Sequence, residues 1–183
     1  LMHLGDSYRN DSEYEKALEC FSESKTIYHS IGDEERVLMV SLNEAILHWN
    51  RGDYDKCIKM ELEVLMLAEK QGYPKMQVNS SNNIGLAYTD KGEYKKAISY
   101  FERALVLHRK NKLPDSANVY QNLGNCYYYL KNSDSAAKYY DTALELYNLT
   151  NDMKGKMRML SNMGNIKLDQ NNLTDALALY KQA

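Results

Sequence analysis

The sequence predicts an all-α fold, an α-solenoid of about five stacked antiparallel helix pairs. Three observations predict it. A block of small and aromatic residues recurs with a period near forty. Within the block, apolar residues recur at three and four, the spacing of one helix face. Pro and Gly are few, two and nine in 183 residues, and strand signals are absent, which argues against frequent hairpin turns.

The repeat is anchored on a small residue at Gly5, Ala45, Gly85, Gly124 and Gly164, in steps of 40, 40, 39 and 40. A second helix follows, with a small residue, an aromatic four positions on, and another small residue three beyond. The copies are Ala17, Phe21 and Ser24; Ala97, Phe101 and Ala104; Ala136, Tyr140 and Ala143; Ala176, Tyr180 and Ala183. The second unit is degenerate, with His48, Cys57 and Val64 in repeat slots. The approximate units are 1–32, 33–72, 73–112, 113–152 and 153–183, a single array.

Each element has a local reason. Tyr14, Tyr54 and Tyr94 open second helices as packing residues. Ser12 with Glu15 reads as a capping box, and Asp53 as a cap before Tyr54. Gly32, Gly72 and Gly92 mark helix ends, and Pro74 and Pro114 lie near helix starts. Small residues on both helices allow interaxial distances of roughly 8–10 Å. The aromatics are expected to fill gaps between neighbouring pairs. One pair cannot bury its apolar face alone, so stacking is required.

Composition narrows function. Lys and Arg total 23 against 25 Asp and Glu, a formal net charge of −2, which argues against a polyanion binder. No apolar run reaches ~18 residues, and no signal-peptide pattern opens the chain. No nucleic acid or membrane partner is therefore expected for this region, and a cytoplasmic location is expected. An upstream signal or anchor would make it periplasmic. The chain opens on Leu1 inside a helical pattern, and is expected to be an excerpt of a longer protein.

Cys20, Cys57 and Cys126 form no paired motif and read as core thiols. His3, His29, His48 and His108 fall in different units without metal-ligand spacing. Two SxxK strings lack their companion motifs, and no phosphate-binding loop or HExxH is present. No enzyme activity, cofactor or metal is expected. Trp49 reads as a surface anchor or a core residue, and Met153, Met157, Met159 and Met163 as gap-filling core or an adaptable surface.

Two positions before the small slot stand Asn43, Asn83, Asn122 and Asn162, with His3 in the first unit. That offset is about 200° around a helix, so these residues point away from the paired helix. Asn is a poor helix former, and four in register require a reason. The same face carries Leu86, Asn125, Tyr129 and Arg158. An Asn side chain can accept and donate to a peptide group, and first helices ~10 Å apart would place one Asn about every third residue of an extended chain. The same asparagines could instead solvate the face or bond to neighbouring helices and stiffen the stack; the residues alone leave both open.

The pattern resembles the tetratricopeptide repeat family across essentially the whole chain. The period exceeds the usual unit of about 34 residues, and so resembles the long-unit branch of kinesin light chains and bacterial sensor-regulators. The resemblance implies a right-handed superhelix with a concave groove that binds peptides or proteins. It also implies an asparagine ladder at Asn43, Asn83, Asn122 and Asn162, with Leu86, Asn125, Tyr129 and Arg158 setting side-chain preference. The parent is expected to be a bacterial signalling or regulatory protein. A scaffold that self-associates, for instance as a homo-oligomer through uncapped ends, is the other reading. No Lys occupies these face positions, which argues against partners held by a terminal carboxylate.

Overall fold

The computed structural model describes residues 1–114 and 116–183. Among them are ten helices and no strand: α1 (Met2–Asn10), α2 (Tyr14–Ser30), α3 (Glu34–Asn50), α4 (Tyr54–Gln71), α5 (Pro74–Asp90), α6 (Tyr94–Lys110), α7 (Ala117–Tyr129), α8 (Ser133–Leu149), α9 (Met153–Asp169) and α10 (Leu173–Gln182). The all-α, helix-pair class expected from the period is the observed one. None of these helices is long and apolar enough to cross a membrane.

The helices form two compact units, Leu1–Lys91 and Gly92–Ala183. In the first, α1 to α5 pack consecutively, and α3 also touches α1 and α5. Its core includes Ala17, Phe21, Val40 and Leu47, and a second cluster of Leu38, Leu42, Val64, Ala68 and Met76. In the second unit α6 to α10 pack consecutively. Tyr140, Leu123, Met159, Val119 and Cys126 are fully buried there. Tyr127 stacks on Tyr139 at 5.3 Å between ring centroids.

The small slot works by letting a ring in. A Cβ on Gly5 would lie 2.6 Å from Phe21 Cε1; on Gly124, 2.5 Å from Tyr140 Cδ1; on Gly164, 2.6 Å from Tyr180 Cε1. The aromatics therefore lie against the glycine of their own pair, not only in gaps between neighbouring pairs as the sequence suggested. Ala45 stands in this slot in the second unit, where the position corresponding to Phe21 is Glu61. With no ring in that position, a methyl group is accommodated.

Each connection between successive helices contains one residue with positive φ: Ser12, Gly32, Gly52, Gly72, Gly92, Lys112, Lys131, Asn151 and Asn171. The left-handed residue after each helix satisfies terminal carbonyls, and glycine suits it because other residues meet a steric cost. Ser12 has φ 62°, so it ends α1 and does not cap α2. The expected capping box fails for that reason: the N-cap is Glu13, with no side-chain cap bond. Asp53 is the N-cap of α4 but makes no cap bond either. Its carboxylate lies 3.6 Å from both His48 Nδ1 and Arg51 Nε. Working side-chain caps occur at Asp33, Asn132, Asp152 and Asn172, each accepting the backbone N–H three residues on. Pro74 opens α5 at its first turn.

Candidate functional site

The four ladder asparagines are all half-buried, at equivalent positions of α3, α5, α7 and α9. Three use the amide nitrogen within the protein. Asn43 Nδ2 donates to Asp6 Oδ2 at 3.3 Å. Asn162 Nδ2 donates to Asn125 Oδ1 at 3.2 Å. Both bonds join a first helix to the first helix of the preceding pair, in the same register. Asn83 has the apolar Ile46 at the corresponding position. It turns to α4 and donates to Glu61 Oε1 at 2.8 Å. Asn122 also has a partner within the protein. The Oδ1 atoms of Asn43, Asn83 and Asn162 accept no hydrogen bond from the described residues.

The neighbouring residues are more engaged than the sequence suggested. Asn125 Oδ1 also accepts the Tyr140 hydroxyl at 2.8 Å. One pair further on, Tyr180 donates to Asn165 Oδ1 at 2.6 Å. A tyrosine in the aromatic slot is thus matched by an asparagine beside the small slot. In the third unit these slots read Phe101 and Leu86, with neither hydroxyl nor acceptor. Leu86 is half-buried on α5.

Tyr129 is 54% exposed and stacks on Tyr94 at 5.0 Å, with Tyr128 edge-on at 5.9 Å. Hydrogen bonding to Asp169 raises the Tyr128 phenol above its ordinary value. Trp49 occupies the place of Tyr128 in the second repeat and donates to Asp90 at 2.6 Å. It is half-buried and tethered by its polar edge, so it is neither a free anchor nor a core residue.

Arg158 is exposed, with its guanidinium 5.9 Å from the Tyr147 ring centroid and 3.4 Å from the hydroxyl to which it donates. Tyr147 faces Asn118 Oδ1 at 2.7 Å and Gln121 Oε1 at 3.0 Å, so its single hydroxyl hydrogen is shared between two acceptors. The ring itself sits on Gly155, where a Cβ would be 2.3 Å from Cδ1.

Glu61 was missed by sequence reasoning. It is fully buried and occupies the aromatic slot of the degenerate unit. Burial pushes its carboxyl up to about 7, against the opposing hydrogen bond from Asn83. A charged residue in a slot filled by Phe or Tyr elsewhere was the available signal. Cys57, one turn earlier, is pushed up to about 12 by burial and by Glu61, which makes it a packed thiol. Cys20 and Cys126 are buried thiols as well, outside any disulfide. His48 is buried, and desolvation lowers its pKa, so it is neutral at pH 7. No cluster of metal-ligating side chains occurs among the described residues. Met159 is core, whereas Met153 and Met157 are exposed.

Three asparagines of first helices are therefore tied through Nδ2, Asn43 and Asn83 in the first compact unit and Asn162 in the second. Residues 77–148 match the tetratricopeptide repeat model. That match covers the middle of the chain, from within α5 to within α8. BtubC (BKLC) from P. vanneervenii is similar in structure, with a TM-score of 0.86, 19% identity, and coverage of 98% of this chain and 75% of that one. A putative kinesin light chain from Podospora anserina has a TM-score of 0.78 at 14% identity, covering 99% and 90%. A signal transduction ATPase with a tetratricopeptide repeat sensor, from Pyrococcus horikoshii, has a TM-score of 0.84 at 21% identity. This chain covers 28% of that protein and 99% of itself in the match. At these identities the likeness is one of fold.

Proposed function

We propose that the chain is a non-catalytic binding module that holds an extended peptide or protein segment along its first helices, through Asn43, Asn83, Asn122 and Asn162. The observation that carries this reading is the half-used amide. In Asn43, Asn83 and Asn162 the nitrogen is tied to the protein, while the carbonyl oxygen takes no partner from the described residues. Such an oxygen has its orientation fixed before a ligand arrives. It can accept a peptide N–H with little further loss of side-chain entropy. Leu86, Tyr129 and Arg158 supply an apolar, an aromatic and a cationic contact for the ligand's side chains. Asn125 contributes through its Nδ2, since its oxygen already takes two donors.

The parent is a signalling or regulatory protein in this reading. The fold likeness to the Pyrococcus horikoshii signal transduction ATPase, which carries a tetratricopeptide repeat sensor, supports that reading. The test begins with a random array of blocked ten-residue peptides. A selected peptide is then titrated against wild type and an Asn43→Ala/Asn162→Ala variant. Two hydrogen bonds at about 0.5–1.5 kcal/mol each should weaken binding by about tenfold. Unchanged affinity with intact helicity would refute the ladder.

A further inference from the structure

We propose that Glu61 is a positioning residue for Asn83, deciding whether that amide offers an acceptor or a donor to a bound segment. The inference deepens the ladder reading and rests on it. Glu61 stands where the other repeats carry Phe21, Phe101, Tyr140 and Tyr180, and none of its surface is exposed. A carboxyl in that slot is expensive to bury unless it is paired. Its Oε1 takes the Asn83 Nδ2 hydrogen at 2.8 Å. Its Oε2 and the Ser80 Oγ are both buried without a hydrogen-bond partner.

The groups that bear on Glu61 are few. Cys57 shares its helix, and Ser80 and Asn83 come from α5. Among the described residues, burial and its neighbours Asn83 and Ser80 are what shift its carboxyl. The ionised carboxylate only accepts, so it fixes Asn83 with Nδ2 inward and Oδ1 outward. The protonated acid holds one O–H donor. It can donate to Asn83 Oδ1 once the amide turns over, and Nδ2 then faces outward. The carboxyl changes state near neutral pH because burial raises it to about 7.

The test uses the whole chain and two readouts. The first is the side-chain amide signals of Asn83 in the free protein, followed by NMR between pH 5.5 and 8.5. The second is the affinity of the array-selected peptide at pH 6 and pH 8. Wild type should show Asn83 signals with a midpoint near 7 and at least a threefold change in affinity. Glu61→Gln is neutral and still accepts from Asn83, so it should abolish both changes while keeping the fold. Asn83 signals that do not move with pH would overturn the proposal and leave the ladder standing. Signals that titrate, with an affinity indifferent to Asn83→Ala, would support the Glu61–Asn83 coupling and overturn the ladder at that residue.

Discussion

Asn162 Nδ2 and the Tyr140 hydroxyl converge on one atom, Asn125 Oδ1, at 3.2 Å and 2.8 Å. The contact joins three helices, α7, α8 and α9, through a single carbonyl oxygen. Asn43 likewise links its first helix to the preceding one, through Asp6. Tyr140→Phe removes one of the two donors without changing the packed ring. It should cost about 0.5–1.5 kcal/mol in chemical denaturation. No loss would mean that the hydroxyl bond is replaced by solvent.

The contact between Gly124 and the Tyr140 ring predicts a penalty that helix propensity alone would not. Alanine is the better helix former by about 1 kcal/mol. Its Cβ would nevertheless lie 2.5 Å from Tyr140 Cδ1. Gly124→Ala should therefore destabilise the protein by about 1–3 kcal/mol. Combining it with Tyr140→Leu should reduce the penalty. Additive losses in that double mutant would rule out the steric account.

Lys131 takes φ 61° at a turn whose counterparts in other repeats include Gly52 and Gly92. A side chain in the left-handed region costs about 1–2 kcal/mol. Lys131→Gly should raise stability by about 1 kcal/mol or somewhat less, after the entropy that glycine gives the unfolded chain. A lowered midpoint in urea would contradict this.

Stability should depend on pH through Glu61. Its folded pKa, about 7, lies above the ordinary 4.5. Between these values the native state binds a proton that the unfolded state has lost. Stability from this group is therefore full below about pH 4.5, falls as pH rises towards 7, and levels off above it. The total is roughly 3 kcal/mol as an order of magnitude. Glu61→Gln should flatten that slope in urea melts at pH 5, 6, 7 and 8. An unchanged slope would place the titration elsewhere.

The helix pairs were legible because their cause is local and repeated. Small residues at 5, 45, 85, 124 and 164, with apolar residues three and four apart, specify which faces meet. The capping box at Ser12 was misread because a Ser-x-x-Glu string cannot reveal that Ser12 sits at positive φ. The asparagine positions were legible as a register, but their partners were not. Asp6, Glu61 and Asn125 lie 37, 22 and 37 residues away, and only tertiary packing brings them within hydrogen-bonding distance. Glu61 escaped notice because its unit departs from the motif, and a missing aromatic shows less readily than a present one.

The most direct test compares two variants against one array-selected peptide by calorimetric titration. Tyr140→Phe removes an internal donor to Asn125 and leaves the Asn162 carbonyl and the Asn125 amide nitrogen in place. Asn162→Ala removes the carbonyl itself. The account predicts that Asn162→Ala weakens binding by about threefold or more, whereas Tyr140→Phe leaves the affinity unchanged. Equal losses from both, matched by equal losses of thermal stability, would make the asparagines a brace for the stack and contradict a ligand-holding ladder.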